Sequence, residues 1–145
     1  ERERYVQDFV SELSGYLKQE NIKVDIVGRP KHIYSIWKKM QRKQLDIHNL
    51  YDMRAVRVLV NVMPQCYLVL GVAHQHWQPI TQEFDDYISH PKPNGYSSLH
   101  TAVIGPEGKA VEIQIRTHKM HEHAEMGFAA HWMYKEGGEQ DDSLQ

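Results

Sequence analysis

The 145-residue chain has one cysteine, Cys66, so no disulfide can form within it, and such cysteine-poor sequences suit a reducing compartment. It contains no apolar run approaching the roughly 20 residues that a membrane span requires. Its opening Glu1-Arg2-Glu3-Arg4 has none of the character of a signal peptide. A cytoplasmic domain without membrane contact is the expectation. Internal repeats are lacking, as is low-complexity sequence apart from an acidic, polar stretch at residues 137–145. A broad basic excess is missing too: the formal net charge is −2, a poor match for a protein that coats nucleic acid directly.

What is present fits one domain. With 41% hydrophobic and 25% charged residues, the length lies within the roughly 100 to 200 residues of an ordinary domain. We assign that domain to residues 1–136 and expect residues 137–145 to be a flexible tail. The charge is segregated. Residues 28–60 hold eight Lys/Arg against two Asp/Glu, whereas residues 61–145 hold five against eleven. One basic block in a neutral chain suits a compact polyanion bound at one place, such as a nucleotide's phosphates; a solvated basic helix face is the competing explanation.

Residues 5–19 carry Tyr5, Phe9, Leu13 and Tyr16 at helical spacing, and residues 21–27 alternate as a strand ended by Gly28. Pro30 opens a second helix at its favoured first-turn position. Residues 51–60 are rich in strand formers, and a short helix is expected over residues 65–76, after Pro64. Residues 78–98, with three prolines and Gly95, read as a long irregular connection. Residues 99–104 and 109–116 alternate around Gly105-Pro106-Glu107-Gly108, the pattern of a β-hairpin. Thr117 is placed to cap a final helix running to about residue 134. The order predicts a mixed α/β (α+β) fold, a sheet flanked by helices.

On the basic helix Ile33, Ile36, Trp37 and Met40 share one face, and Lys31, Ser35 and Lys39 run along the opposite one just after Gly28-Arg29. A helix start with its exposed N–H groups attracts phosphate by itself. Asp52 opens an apolar strand, where an ion pair or a divalent metal would each account for it. In residues 111–116, Val111, Ile113 and Ile115 face the core, which sets Glu112, Gln114 and Arg116 together on the other side. If Asp52 and Glu112 meet, they form the oxygen-rich site that Mg²⁺ prefers. The loop adds an acidic group, Glu83, Asp85 and Asp86, then Lys92 and Tyr96, suited to metal, phosphate and base stacking, or else to an ordinary surface turn. Ten histidines invite a zinc reading, but His121-Glu122-His123 has the wrong spacing for HExxH and no cysteine pair accompanies it. His131 reads as a packed core histidine, and His100 and His121 remain candidates for polar contacts to a ligand.

Six motifs in order carry a family resemblance: Gly28-Arg29-Pro30-Lys31 with Ser35-Ile36; Tyr51-Asp52-Met53-Arg54-Ala55-Val56-Arg57; Glu83-Phe84-Asp85-Asp86; Asn94-Gly95-Tyr96-Ser97-Ser98-Leu99-His100; Val111-Glu112-Ile113-Gln114-Ile115-Arg116-Thr117; and His121-Glu122-His123-Ala124-Glu125 through His131-Trp132. Together they resemble the RelA/SpoT family of (p)ppGpp synthetases, specifically the synthetase domain of its long members. The resemblance implies a nucleotidyltransferase-like fold and an alarmone-forming pyrophosphokinase of the stringent response. The enzyme would move the β,γ-pyrophosphate of ATP to the 3′-hydroxyl of GDP or GTP and release AMP. By position, Asp52 and Glu112 would be catalytic and hold Mg²⁺. Arg29 and Arg57 would stack on adenine, and Lys31, Ser35 and Lys39 would hold ATP phosphates. Lys92, Tyr96, His100, Gln114 and His121 would form the acceptor nucleotide site. The acidic Glu83, Asp85 and Asp86 resemble the synthetase-only branch, which implies a GDP preference. The resemblance further implies that the chain is part of a longer enzyme acting with the ribosome; its oligomeric state is not written in these motifs.

Two tensions accompany that reading. Strict alternation puts Asp52 and Arg57 on opposite faces, so the strand needs a bulge or the site must wrap its edge. Two other functional classes also stay in play: a catalytically silent guanine-nucleotide sensor of the same fold, opposed by the intact Asp52 and Glu112, and an RNA-binding module, opposed by the acidic second half.

Overall fold

The structure, a computed structural model, describes residues 2–28 and 53–136, with side chains from Glu3 as far as Gly127. The expected basic helix with Arg29, Lys31, Ser35 and Lys39, and Asp52 after it, lie outside the described residues, as do the 137–145 tail and the His131 side chain.

Helix α1 (Arg2–Gln19) buries Phe9, Leu13 and Leu17, spaced four apart on one face. It ends where Asn21 takes a left-handed φ of 59°. The Ile22 N–H then donates to the Leu17 carbonyl at 3.0 Å and the Asn21 N–H to Lys18 at 3.0 Å, a Schellman closure whose apolar pair is the buried Leu17 and Ile22. Asn21 and Ile22 therefore belong to the helix stop, and strand β1 spans only Val24–Gly28. This corrects the strand expected from residue 21.

Strand β2 (Arg54–Val60) leads into α2 (Met63–His76). This helix starts two residues earlier than Pro64 implies, because the Gln65 side chain turns back to accept from the Asn61 and Val62 N–H groups at 3.3 and 3.4 Å. Residues 78–98 are more ordered than expected. Strand β3 (Gln78–Pro79), a 3₁₀ turn (Thr81–Glu83) and strand β4 (Asp85–Asp86) are laid against β5 (Leu99–Ile104). The Ile80 and Tyr87 N–H groups also donate to Ala102 and Ser98. The β5–β6 hairpin forms as expected through a 3₁₀ turn (Pro106–Gly108), in which Glu107 and Gly108 have φ of 62° and 72°. A Cβ at Gly105 would come within 2.7 Å of the Tyr5 hydroxyl, which donates to the Pro106 carbonyl, so a side chain there would have to displace this contact between α1 and the turn. Strand β6 (Ala110–Thr117) runs directly into α3 (His118–Glu136). There Thr117 Oγ1 accepts from the Met120 N–H at 3.0 Å, the cap its position predicts.

The described strands form a six-stranded sheet ordered β1-β2-β6-β5-β3, with β4 paired to β5. Strand β6 lies at its centre, parallel to β2 and antiparallel to β5. One face carries Val56, Val58, Val60, Leu99, Val103, Val111, Ile113 and Ile115, which join the apolar side of α1 and Cys66, Val69 and Ala73 of α2 in one core. With that face filled, the opposite face carries the polar side chains of β6. Among the described residues no helix is long and apolar enough to cross a membrane.

Candidate functional site

The strand register assembles the polar face in rows. Glu112 of β6 is flanked by Ala55 of β2 and Ala102 of β5. One step along, Gln114 lies between Arg57 and His100, and His100 in turn is opposite Asp85 of β4. Arg116 completes the strand opposite Leu59. The alternation expected for Glu112, Gln114 and Arg116 therefore holds, and all three are buried. Apolar burial fixes the register, and the register in turn brings a guanidinium, an amide, an imidazole and a carboxylate into one line across four strands.

Hydrogen bonds join that line to the loop above it. Gln114 Nε2 donates to the Tyr96 hydroxyl at 2.6 Å and lies 3.2 Å from His100 Nε2, which is also 3.0 Å from the Tyr96 hydroxyl. On its other side Gln114 Oε1 accepts from Arg57 Nε. A guanidinium can only donate, so the amide oxygen faces Arg57 and its NH₂ faces the two rings. His100 Nε2 then accepts, and the neutral ring carries its proton on Nδ1.

The Tyr96 ring is further fixed by the loop. Asn94 Oδ1 accepts from the Tyr96 N–H at 3.0 Å, and Gly95, at φ 87°, makes a turn that a side chain would strain. Tyr87 meets Tyr96 and His100 edge-on, with ring centres 6.2 and 5.4 Å apart. Lys92 Nζ sits 4.8 Å from the Tyr87 ring centre, and Arg116 Cζ lies 5.8 Å from that of Tyr96. Beside this loop a cavity of about 450 Å³ opens, lined by Asn61, Val62, Met63, Gly95, Ser97, Thr117, Lys119, Met120 and His123.

Arg116 Nη2 also donates to His121 Nδ1, 2.7 Å away on the first turn of α3. Burial lowers the His121 pKa below the ordinary histidine value, helped by the positive charges of Arg116 and Arg57 and opposed by Glu125. His118, by contrast, reaches across to Asp25 of β1 at 2.7 Å.

The acidic residues are divided. Glu83 is buried in the 3₁₀ turn, and Asp85 is half-buried in the row beyond His100. Asp86 is engaged locally, accepting from the Ile88 and Ser89 N–H groups, the Ser89 hydroxyl and the Tyr67 hydroxyl. Burial raises its pKa, but these donors outweigh it and hold the carboxyl below its usual value. Among the described residues no group of three or more His, Cys, Asp or Glu is gathered as a metal cage.

Of the residues expected in the site, Arg57, Tyr96, His100 and Gln114 meet directly, with Lys92 joined through Tyr87 and His121 through Arg116. Glu112 shares their face. Sequence reasoning placed Arg116 on this face without a role, although the Glu-x-Gln-x-Arg alternation already marked it. Tyr67, on α2, and Tyr87, in the loop, were missed, because no local periodicity distinguishes them.

Comparison with known proteins points the same way. The model of the region found in RelA/SpoT proteins matches residues 28–139. A GTP pyrophosphokinase of Haemophilus influenzae is 57% identical over 94% of this chain, and that of Escherichia coli 56% identical over the same share. The chain spans 18% of the length of each of these relatives. Among solved structures, a GTP pyrophosphokinase family protein from Streptococcus pneumoniae superposes with a TM-score of 0.68 at 28% identity, covering 92% of this chain and 74% of that one.

Proposed function

The chain belongs to the RelA/SpoT family, and from that premise we propose that it is a (p)ppGpp synthetase domain, transferring the β,γ-pyrophosphate of ATP to the ribose 3′-oxygen of GDP or GTP and releasing AMP. The observation that carries this reading is the row Arg57–Gln114–His100 with Tyr96 locked above it, one register step from the buried carboxylate of Glu112.

In this account the Tyr96 ring, with its hydroxyl tethered and Arg116 beside it, offers a face on which guanine stacks, worth about 1 to 3 kcal/mol for a base on an aromatic ring. Lys92, His100, Gln114 and His121 surround the acceptor. Arg57 stacks on adenine with Arg29, while Lys31, Ser35 and Lys39 hold the triphosphate. The Arg57–Gln114 hydrogen bond then ties the donor subsite to the acceptor subsite. Attack on the β-phosphorus asks the protein mainly for alignment and charge neutralisation, and Glu112 accepts the proton of the 3′-hydroxyl.

The donor chemistry of Glu112 fits Mg²⁺, an oxygen-seeking cation. On both sides its register neighbours are alanines, which set no charged side chain beside the carboxylate in that row. Asp52 is the proposed second ligand. It is three residues ahead of Ala55, the register partner of Glu112, a chain length that spans at most about 11 Å. When bound, the ion supplies positive charge to the phosphates and favours loss of the hydroxyl proton.

The test is incubation with ATP, Mg²⁺ and GDP or GTP, resolving AMP and the guanosine product by chromatography. Equal amounts of AMP and a 3′-pyrophosphorylated product are expected. GDP binding without AMP release would instead mark a silent sensor and refute the proposal. Action in the cytoplasm, within a longer ribosome-associated enzyme, is part of the same proposal.

A further inference from the structure

Arg116 ends the polar row of β6 at 2% exposure, too deep to be an ordinary surface cation. Its Nη2 is 2.7 Å from His121 Nδ1. Every guanidinium nitrogen donates and none accepts, so Nδ1 must be the acceptor of this pair and the neutral ring must carry its proton on Nε2. A second proton, on Nδ1, would point at the guanidinium donor. His121 itself is half-buried, at the start of α3 beside the Tyr96 loop.

We propose that Arg116 is a positioning residue of the acceptor subsite, holding His121 as its Nε2–H tautomer so that this ring donates a hydrogen bond to an oxygen or ring-nitrogen acceptor of the guanine nucleotide. The inference deepens the proposed function and rests on its acceptor-site reading. Without Arg116 the neutral imidazole divides between two tautomers, and one of them presents an acceptor where the nucleotide needs a donor. The same guanidinium lies 5.8 Å from the Tyr96 ring centre, so one buried cation adjoins two of the groups that meet the acceptor.

Nitrogen-15 imidazole spectra of the chain, recorded above pH 7, test the first half: His121 is expected with Nε2 protonated and Nδ1 bare, and Arg116→Met is expected to give a tautomer mixture. GDP titrations test the second half. Arg116→Met and His121→Leu should each weaken GDP binding about tenfold, the loss of about one hydrogen bond. His121→Gln, whose amide can both accept from Arg116 and donate onward, should stay within about threefold. Binding of a non-hydrolysable ATP analogue should be unchanged in all three. An Nδ1–H ring in the wild type, a tautomer ratio indifferent to Arg116→Met, or equal losses in His121→Gln and His121→Leu would overturn the inference. If Arg116→Met does not fold, the wild-type spectrum and the two His121 variants still decide it. A wild-type chain without GDP affinity defeats the acceptor-site reading and this inference with it; wild-type affinity unmoved by Arg116→Met defeats this inference alone.

Discussion

Replacing Gln114 by leucine removes the centre of the polar row while nearly conserving volume. The lost interactions are the bond to Tyr96 at 2.6 Å, the contact with His100 at 3.2 Å and the charge-assisted bond from Arg57. Neutral hydrogen bonds contribute about 0.5 to 1.5 kcal/mol each and charged ones about 1.5 to 3. The three partners are half-buried and recover part of this from water, which places the expected destabilisation at about 3 kcal/mol. For a chain of this length that is a fall in Tm of about 9 °C. Urea unfolding is the assay: the midpoint should drop with an unchanged slope. Tyr96→Phe, made alone and together with Gln114→Leu, isolates the central bond, and the cycle should give a coupling of about 1 kcal/mol. A Gln114→Leu loss under about 1 kcal/mol, or additive single effects, would refute the network as drawn.

Three further outcomes are expected. Tyr96→Ala should raise the acceptor KM about tenfold or more while leaving that for ATP unchanged, as read in steady-state titrations; an unaltered acceptor KM would contradict stacking. Stability should decline as the pH falls below about 6.5, because burial lowers the pKa of His74, and burial with Arg116 and Arg57 lowers that of His121. The unfolded chain then binds protons that the fold refuses, so stabilisation present above the unfolded value is lost through the depressed folded ones. Urea midpoints at pH 7.5 and 5.5 check the sign, and greater stability at the lower pH would refute it. Asn21→Ala should cost about 1 kcal/mol for its left-handed φ, and Asn21→Gly almost nothing, again by urea unfolding; equal effects would discount the helix stop.

The parts of the fold written in local pattern were legible. The β5–β6 turn, the Thr117 cap and the alternation that groups Glu112, Gln114 and Arg116 depend on neighbours a few residues apart. The features that escaped depend on contacts that periodicity does not encode. Residues 21–23 continue the alternation of β1, yet the helix stop claims Asn21 and Ile22 because Leu17 needs an apolar partner. Strands β3 and β4 are two residues long and owe their pairing to β5, so no periodicity could announce them. Asp86 resembled a ligand in sequence, whereas its carboxylate closes its own turn with Ser89 and Tyr67. The meeting of Tyr96, His100 and Gln114 requires the β5–β6 register, which the hairpin turn implies but composition does not. Arg116 was visible in the alternation, and its role emerged only when α3 brought His121 to it.

The central claim concerns Glu112, and the most direct measurement is AMP release from ATP, with Mg²⁺ and GDP present, by the wild-type chain and by Glu112→Gln. The account predicts transfer by the wild type and a fall of at least about a hundredfold in the variant, with ATP binding nearly intact. Near-normal turnover by Glu112→Gln would contradict it.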